Sequence, residues 1–302
     1  MRTMEKETES RDAAICCPKI AFVVLLQVKG ANPNGDPLSG NMPRTAPDGR
    51  GKMTPVCIKR KIRDRLQEMG QEIYVKCDDR ADDGFHSING RLAANPAVAE
   101  ALGKRDEEMI RKSILESYID ARAFGGVIAG FKGKEKGMKG ISVGIRGAVT
   151  VNDVYSAPGH PVVITEDQIV KSTNGEGEEG RSSDRMGSKF SVDYGLYIIQ
   201  GSVNPFFAEK NGFTREDWEH VKKALLHLCD NDESAARPAG SMAVKKAFFW
   251  EGDMTNNGLS RLFDSVRVEL RPGVLNPAFY EDYNVSLIPV DDGIEPEVVD
   301  AD

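Results

Sequence analysis

The chain has 302 residues, 40% hydrophobic and 29% charged, enough to bury a sizeable core in one large or two ordinary domains. No apolar run approaches the roughly 20 residues that span a bilayer. The opening MRTMEKETESRDAAICCPK mixes acids with bases where a secretory signal would be apolar, so the expectation is a soluble, cytoplasmic protein without a membrane partner. A formal net charge of −7 argues against a nucleic-acid partner only until it is mapped: beyond Tyr280 there are eight acids and no Lys or Arg, and without those acids the balance is +1.

Residues 1–18 read as a flexible leader. Ile20 to Val28 (IAFVVLLQV) is a continuous apolar run whose length and β-branched content predict a buried central strand. The loop that follows, NPNGDP from Asn32 to Pro37, is dense in turn formers. Thr54 can then cap a helix that Pro55 suits at its first turn and Gly70 can close, with Ile58, Ile62, Leu66 and Met69 on one stripe. Lys59, Arg60, Lys61, Arg63 and Arg65 stay off that stripe.

Further along, Glu72 to Cys77 is a short strand candidate and Asp78 to Asn95 a polar excursion. Asp106, Glu107 and Glu108 suit a helix N-terminus, and Ile110, Ile114, Leu115, Tyr118 and Ile119 keep helical spacing up to a Gly125-Gly126 stop. From Phe124 to Gly147 glycine alternates with lysine, a composition offering amides and cations to phosphate. Gly144 to Tyr155 and Ser191 to Val203 read as strands flanking an insertion with an acidic, turn-rich middle. Thr214 opens a helix with Asp217 as capping-box partner and Trp218, Val221, Leu225 and Leu228 buried. Met242 to Trp250 and Arg261 to Leu270 are strands parted by the turn MTNNG. This skeleton predicts an α+β fold, a ferredoxin-like split β-α-β core with an antiparallel sheet and long insertions, in one sheet-centred domain.

Chemistry is sparse. Gly175 to Gly180 formally matches G-x-G-x-x-G, but three carboxylates would repel a pyrophosphate and no helix follows. His86, His160, His220 and His227 lack ligand spacing, and Cys16, Cys17, Cys57, Cys77 and Cys229 contain no C-x-x-C pair, so no metal, cofactor or disulfide framework is expected. Bases, in contrast, cluster around residues 44–63 and 122–146. Arg44, Lys59, Arg60, Arg63, Arg122, Lys132, Lys134, Arg146, Arg185, Lys189, Lys245 and Lys246 are the candidate phosphate contacts. No aromatic-rich RNP strand is present, which favours tracking of a backbone over ordinary base stacking on a sheet.

Eight segments, in chain order, also carry a family resemblance: NPNGDP, Pro43-Arg44, VCIKRKIRD (56–64), FGG (124–126), GIRGAVTV (144–151), DRMGSKF (184–190), YGLY (194–197) and SAARPAGSMAVKK (234–246). Together they resemble the backbone subunit of the CRISPR Cascade complex, subtype I-C, from about Lys19 to about Leu270, with Ala148 standing where that family often has proline. The resemblance implies a modified RNA-recognition-motif palm over residues 19–280, a finger insertion near 78–140 and a thumb hairpin near 156–189, and the charge distribution leaves an acidic C-terminal tail at 281–302. The resemblance also implies a nonenzymatic protein that coats crRNA as a head-to-tail helical filament and presents it to target DNA. The implied partners are a cap subunit, a large subunit, small subunits and a recruited helicase-nuclease. Asn32, Asn34, Phe124, Gly125 and Gly126 join the RNA-binding candidates through these motifs, and Met186 between Arg185 and Lys189 is the expected thumb wedge, with Ile169 and Val170 beside Lys171 as the alternative. Two other readings stand beside it: a metal-dependent RNA endonuclease using Asp36, as in the related type III backbone subunits, and a structural oligomer without nucleic acid.

Overall fold

A computed structural model describes residues 17–131, 140–171, 185–290 and 293–301, except the side chains of 169–171 and 185–186. In chain order, β1 (Ile20–Ala31) leads into a small hairpin of β2 (Gly35–Asp36) and β3 (Met42–Pro43), then β4 (Lys52–Met53) and α1 (Pro55–Glu68). Four helices follow, α2 (Ile88–Ala94), α3 (Pro96–Lys104), α4 (Glu107–Ser117) and α5 (Ile119–Phe124), and deliver the chain to a hairpin of β5 (Gly125–Phe131) and β6 (Ile141–Arg146). After β7 (Val149–Val151) and β8 (Val154–Ser156), a long hairpin of β9 (Ile164–Lys171) and β10 (Arg185–Val203) reaches α6 (Pro205–Asn211) and α7 (Arg215–Leu226). The C-terminal part holds β11 (Met242–Glu251), α8 (Asn256–Ser265), β12 (Val266–Leu270), β13 (Tyr283–Leu287) and β14 (Glu297–Asp300).

The main sheet runs β14-β11-β1-β10-β8-β4, with β7 and β9 also paired to β10. β1 lies at its centre, antiparallel to both neighbours, with Ile20 opposite Val203 on one side and Glu251 on the other. Its apolar run is continuous because both faces are buried. Phe22, Val24, Leu26 and Val28 join the core beneath α1 and α7, while Ala21, Val23 and Leu25 join a second core beneath α8, β12 and β13. Phe22 meets Trp218 at 6.0 Å between ring centres, and Trp218 meets Phe249 edge-on at the same distance. A third apolar cluster, including Leu92, Val98, Ile110, Ile114, Ile128 and Val143, gives α2–α4 and the β5–β6 hairpin a core of their own. The fold is thus mixed α+β around a large antiparallel sheet.

α1 and α7 follow their local signals closely. The Thr54 side chain accepts from Cys57 N, and Thr214 and Asp217 form a reciprocal capping box. Elsewhere the structure corrects the local patterns. Residues 72–77 form no strand, because Tyr74 N and Val75 N donate to the Asp120 carboxylate at 3.0 and 3.2 Å instead of to a neighbouring strand. The expected helix through Ile119 breaks at Tyr118, whose backbone is extended (φ −128°), and Ile119 N bonds to Glu72 O. The strand expected from Gly144 to Tyr155 is cut at Gly147, where a Cβ would strike the Ala123 carbonyl and Phe124. MTNNG begins a helix: Thr255 accepts from Gly258 N, and Leu259, Leu262 and Ser265 are buried at helical spacing. The segment expected as an acidic tail contributes β13 and β14, the latter closing the edge of β11 with Asp300 2.9 Å from Lys246 and Glu297 2.6 Å from Lys222. Among the described residues no helix is long and apolar enough to cross a membrane.

Candidate nucleic-acid interface

The loop after β1 is held from three sides. Asn32 N donates to Ala236 O at 2.8 Å, Asn32 Nδ2 donates to Asn41 O at 2.6 Å, and Asn34 Oδ1 accepts from Thr54 N at 2.9 Å, at the start of α1. Asn32, buried to 3% exposure, therefore fastens the loop to the turn near Ser234–Arg237. Asp36 is also engaged: its Oδ1 accepts from Leu38 N at 3.1 Å and from Arg44 at 3.3 Å. That is the bonding of a turn aspartate which also holds a neighbouring cation.

The cations of α1 divide sharply. Arg60 pairs with Asp64 at 2.6 Å, Lys61 with Asp232, and Arg63 Nε donates to Asp120 Oδ2 at 2.9 Å. Asp120 has no exposure at all; burial drives its pKa upward, against the pull of Arg63 and of the amides of Tyr74 and Val75. Lys59 has no carboxylate partner among the described residues. Its ammonium lies 5.6 Å from the centre of the Phe124 ring, which also carries the Arg63 guanidinium at 5.0 Å. Burial and then the nearby Arg63 hold the Lys59 pKa below its ordinary value.

Phe124 ends α5, and the two glycines after it are there for close packing. Gly125 has φ +65°, and a Cβ would run into the Ile145 carbonyl; at Gly126 it would meet the Tyr74 hydroxyl. That hydroxyl donates to Gly125 O at 2.8 Å, and burial pushes its pKa up to about 12. Arg146 sits opposite Gly125 on β6, with its guanidinium 5.2 Å from the Phe207 ring centre and its carbonyl accepting from Asn211 Nδ2 at 2.7 Å. Arg122, by contrast, makes two 2.7 Å bonds to Asp217 and a third to Leu115 O, and so locks α5 to α7.

Asn34, Arg44, Lys59, Arg63, Phe124, Gly125, Gly126 and Arg146 are linked through α1, the loop before it and the α5–β5 turn. Asn32, Arg60 and Arg122 lie in the same region but are committed to bonds within the fold, and the other candidates lie elsewhere. Lys189 is opposite Asp167 in the β9–β10 hairpin; Lys245 rests 5.8 Å from the Tyr280 ring, and Lys246 pairs with Asp300. Lys132 and Lys134 lie outside the described residues, as do residues 1–16 and the side chains of Arg185, Met186, Ile169, Val170 and Lys171; the backbone places Met186 opposite Val170. Sequence reasoning missed Asp120 and Asp217, the acids that occupy two of the expected phosphate contacts, and Phe207, the ring under Arg146. Of these only Asp217 carried a signal, as a cap rather than an ion-pair partner. On the second face of the sheet Phe248, Trp250 and Tyr194 are buried beneath α8, β12 and β13, so these three rings are not open to stacking. Among the described residues no group of three or more His, Cys, Asp or Glu could hold a metal ion.

The family model described as CRISPR-associated protein Cas7 matches residues 18–288. A CRISPR-associated protein Cas7 of Haloferax volcanii is 36% identical over 263 residues, covering 80% of this chain and 74% of that protein. Among solved structures, a chain of a CRISPR RNA-guided surveillance complex in a pre-nicking state aligns with a TM-score of 0.47 and 16% identity, over 82% of this chain and 80% of that one. A second CRISPR RNA-guided surveillance complex gives 0.45 and 14%, over 87% and 77%. A chain of the type III-B Cmr-beta complex bound to cognate target RNA gives 0.43 and 10%, over 83% and 66%. With the family model matched across nearly all the described fold and a relative above one-third identity, the chain belongs to the CRISPR-associated protein Cas7 family.

Proposed function

We propose that this chain is the crRNA-binding backbone subunit of a type I-C surveillance complex, that copies of it join along the guide, and that the held guide pairs with target DNA. The observation that carries the reading is the pair of cations that, among the described residues, have no carboxylate partner around the α5–β5 turn, Lys59 over Phe124 and Arg146 over Phe207, in a chain of this family. Such cations hold phosphate without reading bases, so discrimination falls to guide pairing. A cap subunit, a large subunit, small subunits and a helicase-nuclease complete the proposed assembly, which works in the cytoplasm. The protein is taken as structural rather than catalytic, because both Asp36 oxygens face donors of its own loop, Leu38 N and Arg44 on one and Ser39 Oγ on the other.

A subunit that follows a strand must meet its neighbour head to tail, since a two-fold contact would stop growth at a dimer. Native mass spectrometry on complexes assembled with two guide lengths is the test. The longer guide should recruit more copies; an unchanged copy number, or protein that comes away free of RNA, overturns the reading. RNA that shortens with Mg²⁺, and stays intact with Asp36→Ala, would establish the endonuclease instead.

A further inference from the structure

One exposed ring near this cluster is left outside the apolar cores. Phe206 is 64% exposed, the most exposed phenylalanine among the described residues. Its backbone is nevertheless fixed. Pro205 fixes the first turn of α6, and Phe206 N donates to the capping Asn204 Oδ1 at 3.0 Å. The ring stands edge-on to Phe207, 5.1 Å between centres at 82°. Phe207 in turn carries the Arg146 guanidinium at 5.2 Å, so the bare ring and the free cation lie two contacts apart. Arg146 is the register partner of Gly125, next to Phe124 and its lysine.

We infer that Phe206 is a nucleobase-stacking platform: an unpaired base of bound single-stranded RNA lies on the Phe206 ring while a phosphate of the same stretch is held by Arg146. The inference rests on the guide-RNA reading above and adds to it a contact to a base. Three properties favour a base as occupant. The backbone under the ring is set by the Asn204 cap and Pro205, and a phenyl side chain has only two torsions to order, so stacking costs little ordering entropy. Every base has a π face, so the contact tolerates any guide sequence. The group beside it is a guanidinium resting on the neighbouring ring, which is complementary to the phosphate that accompanies each base. A protein partner meeting the same surface would have to cover the Arg146 charge with a carboxylate of its own.

The test uses the full chain and a short single-stranded RNA carrying 2-aminopurine, whose fluorescence is quenched by stacking. Phe206→Ala should weaken binding roughly five- to one-hundred-fold and relieve the quenching, while the slope of log affinity against log salt stays as in the parent, because a ring releases no counterions. Phe206→Trp should restore both affinity and quenching. Arg146→Ala should lower the salt slope by about 0.7 per lost phosphate contact. Parent-like affinity and quenching in Phe206→Ala overturns the inference while leaving the guide-RNA reading intact, and a fall in RNA-free self-association in that variant would mark the ring as a contact between copies. A parent chain that holds no RNA overturns both.

Discussion

Arg63 and Lys59 stand one turn apart on α1 and share the Phe124 ring, yet they belong to different parts of the protein's electrostatics. Arg63 is anchored on Asp120, a carboxylate with no exposure that also receives two backbone amides. Lys59 has no carboxylate partner among the described residues and rests over the ring. The same division separates Arg122, clamped on Asp217, from Arg146, resting on Phe207. Positive charge in a sequence is therefore not the same quantity as positive charge offered to a ligand. In this chain the first kind ties α5 to α1 and α7, and the second is what, on the proposed reading, is left to meet phosphate.

The division can be broken most severely at Asp120. Asp120→Ala leaves Arg63 without its partner and two buried amides without an acceptor, and should cost about 3–5 kcal/mol in urea unfolding. A loss below about 1 kcal/mol would mean that Arg63 finds an equivalent partner and that the division is unreal. Gly125→Ala probes the turn between the two groups: with positive φ and the Ile145 carbonyl in the path of a Cβ, it should cost about 1–3 kcal/mol by the same measurement. Lys59→Ala should move stability by less than about 0.5 kcal/mol. It should still reduce the salt dependence of RNA binding by about 0.7 in slope. Equal salt slopes for parent and variant would remove Lys59 from the free class.

A third clamp, Arg91 on Asp83, tests the division through pH. Hydrogen bonds from Arg91 hold the Asp83 carboxyl well below the usual carboxylate range. Its contribution is therefore complete above the ordinary aspartate pKa of about 4 and is lost as pH falls from there through the lowered folded value. Asp83→Asn should flatten that acid limb of the stability curve and leave RNA binding at neutral pH unaltered.

The elements legible in the sequence are those whose cause is local. β1 announces itself by an unbroken apolar run, and α1 and α7 by cap, stripe and stop. Residues 72–77 were not legible, because their amides answer to Asp120, more than forty residues away. Helix α8 had its signal in Thr255, Leu259 and Leu262, but Asn256, Asn257 and Gly258 are strong turn formers and mask it. The site shows the same limit. The motif residues around the α5–β5 turn were identified from sequence, while the commitments of Arg63 and Arg122 depend on acids 57 and 95 positions away, pairings that no spacing rule reveals.

The position of β1 also has a consequence for how the chain is made. Its first residue pairs with Val203 and Glu251, so neither neighbouring strand exists until most of the protein has been synthesised. At about 5–20 residues per second, the apolar run IAFVVLLQV waits roughly 10–40 s for β10 and somewhat longer for β11. Throughout that interval it is an unpaired, β-prone, uncharged segment, the kind that joins other chains as readily as its own. Yield of soluble protein should therefore depend on translation speed and on chaperones that cover extended apolar segments, more than on the stability of the finished sheet.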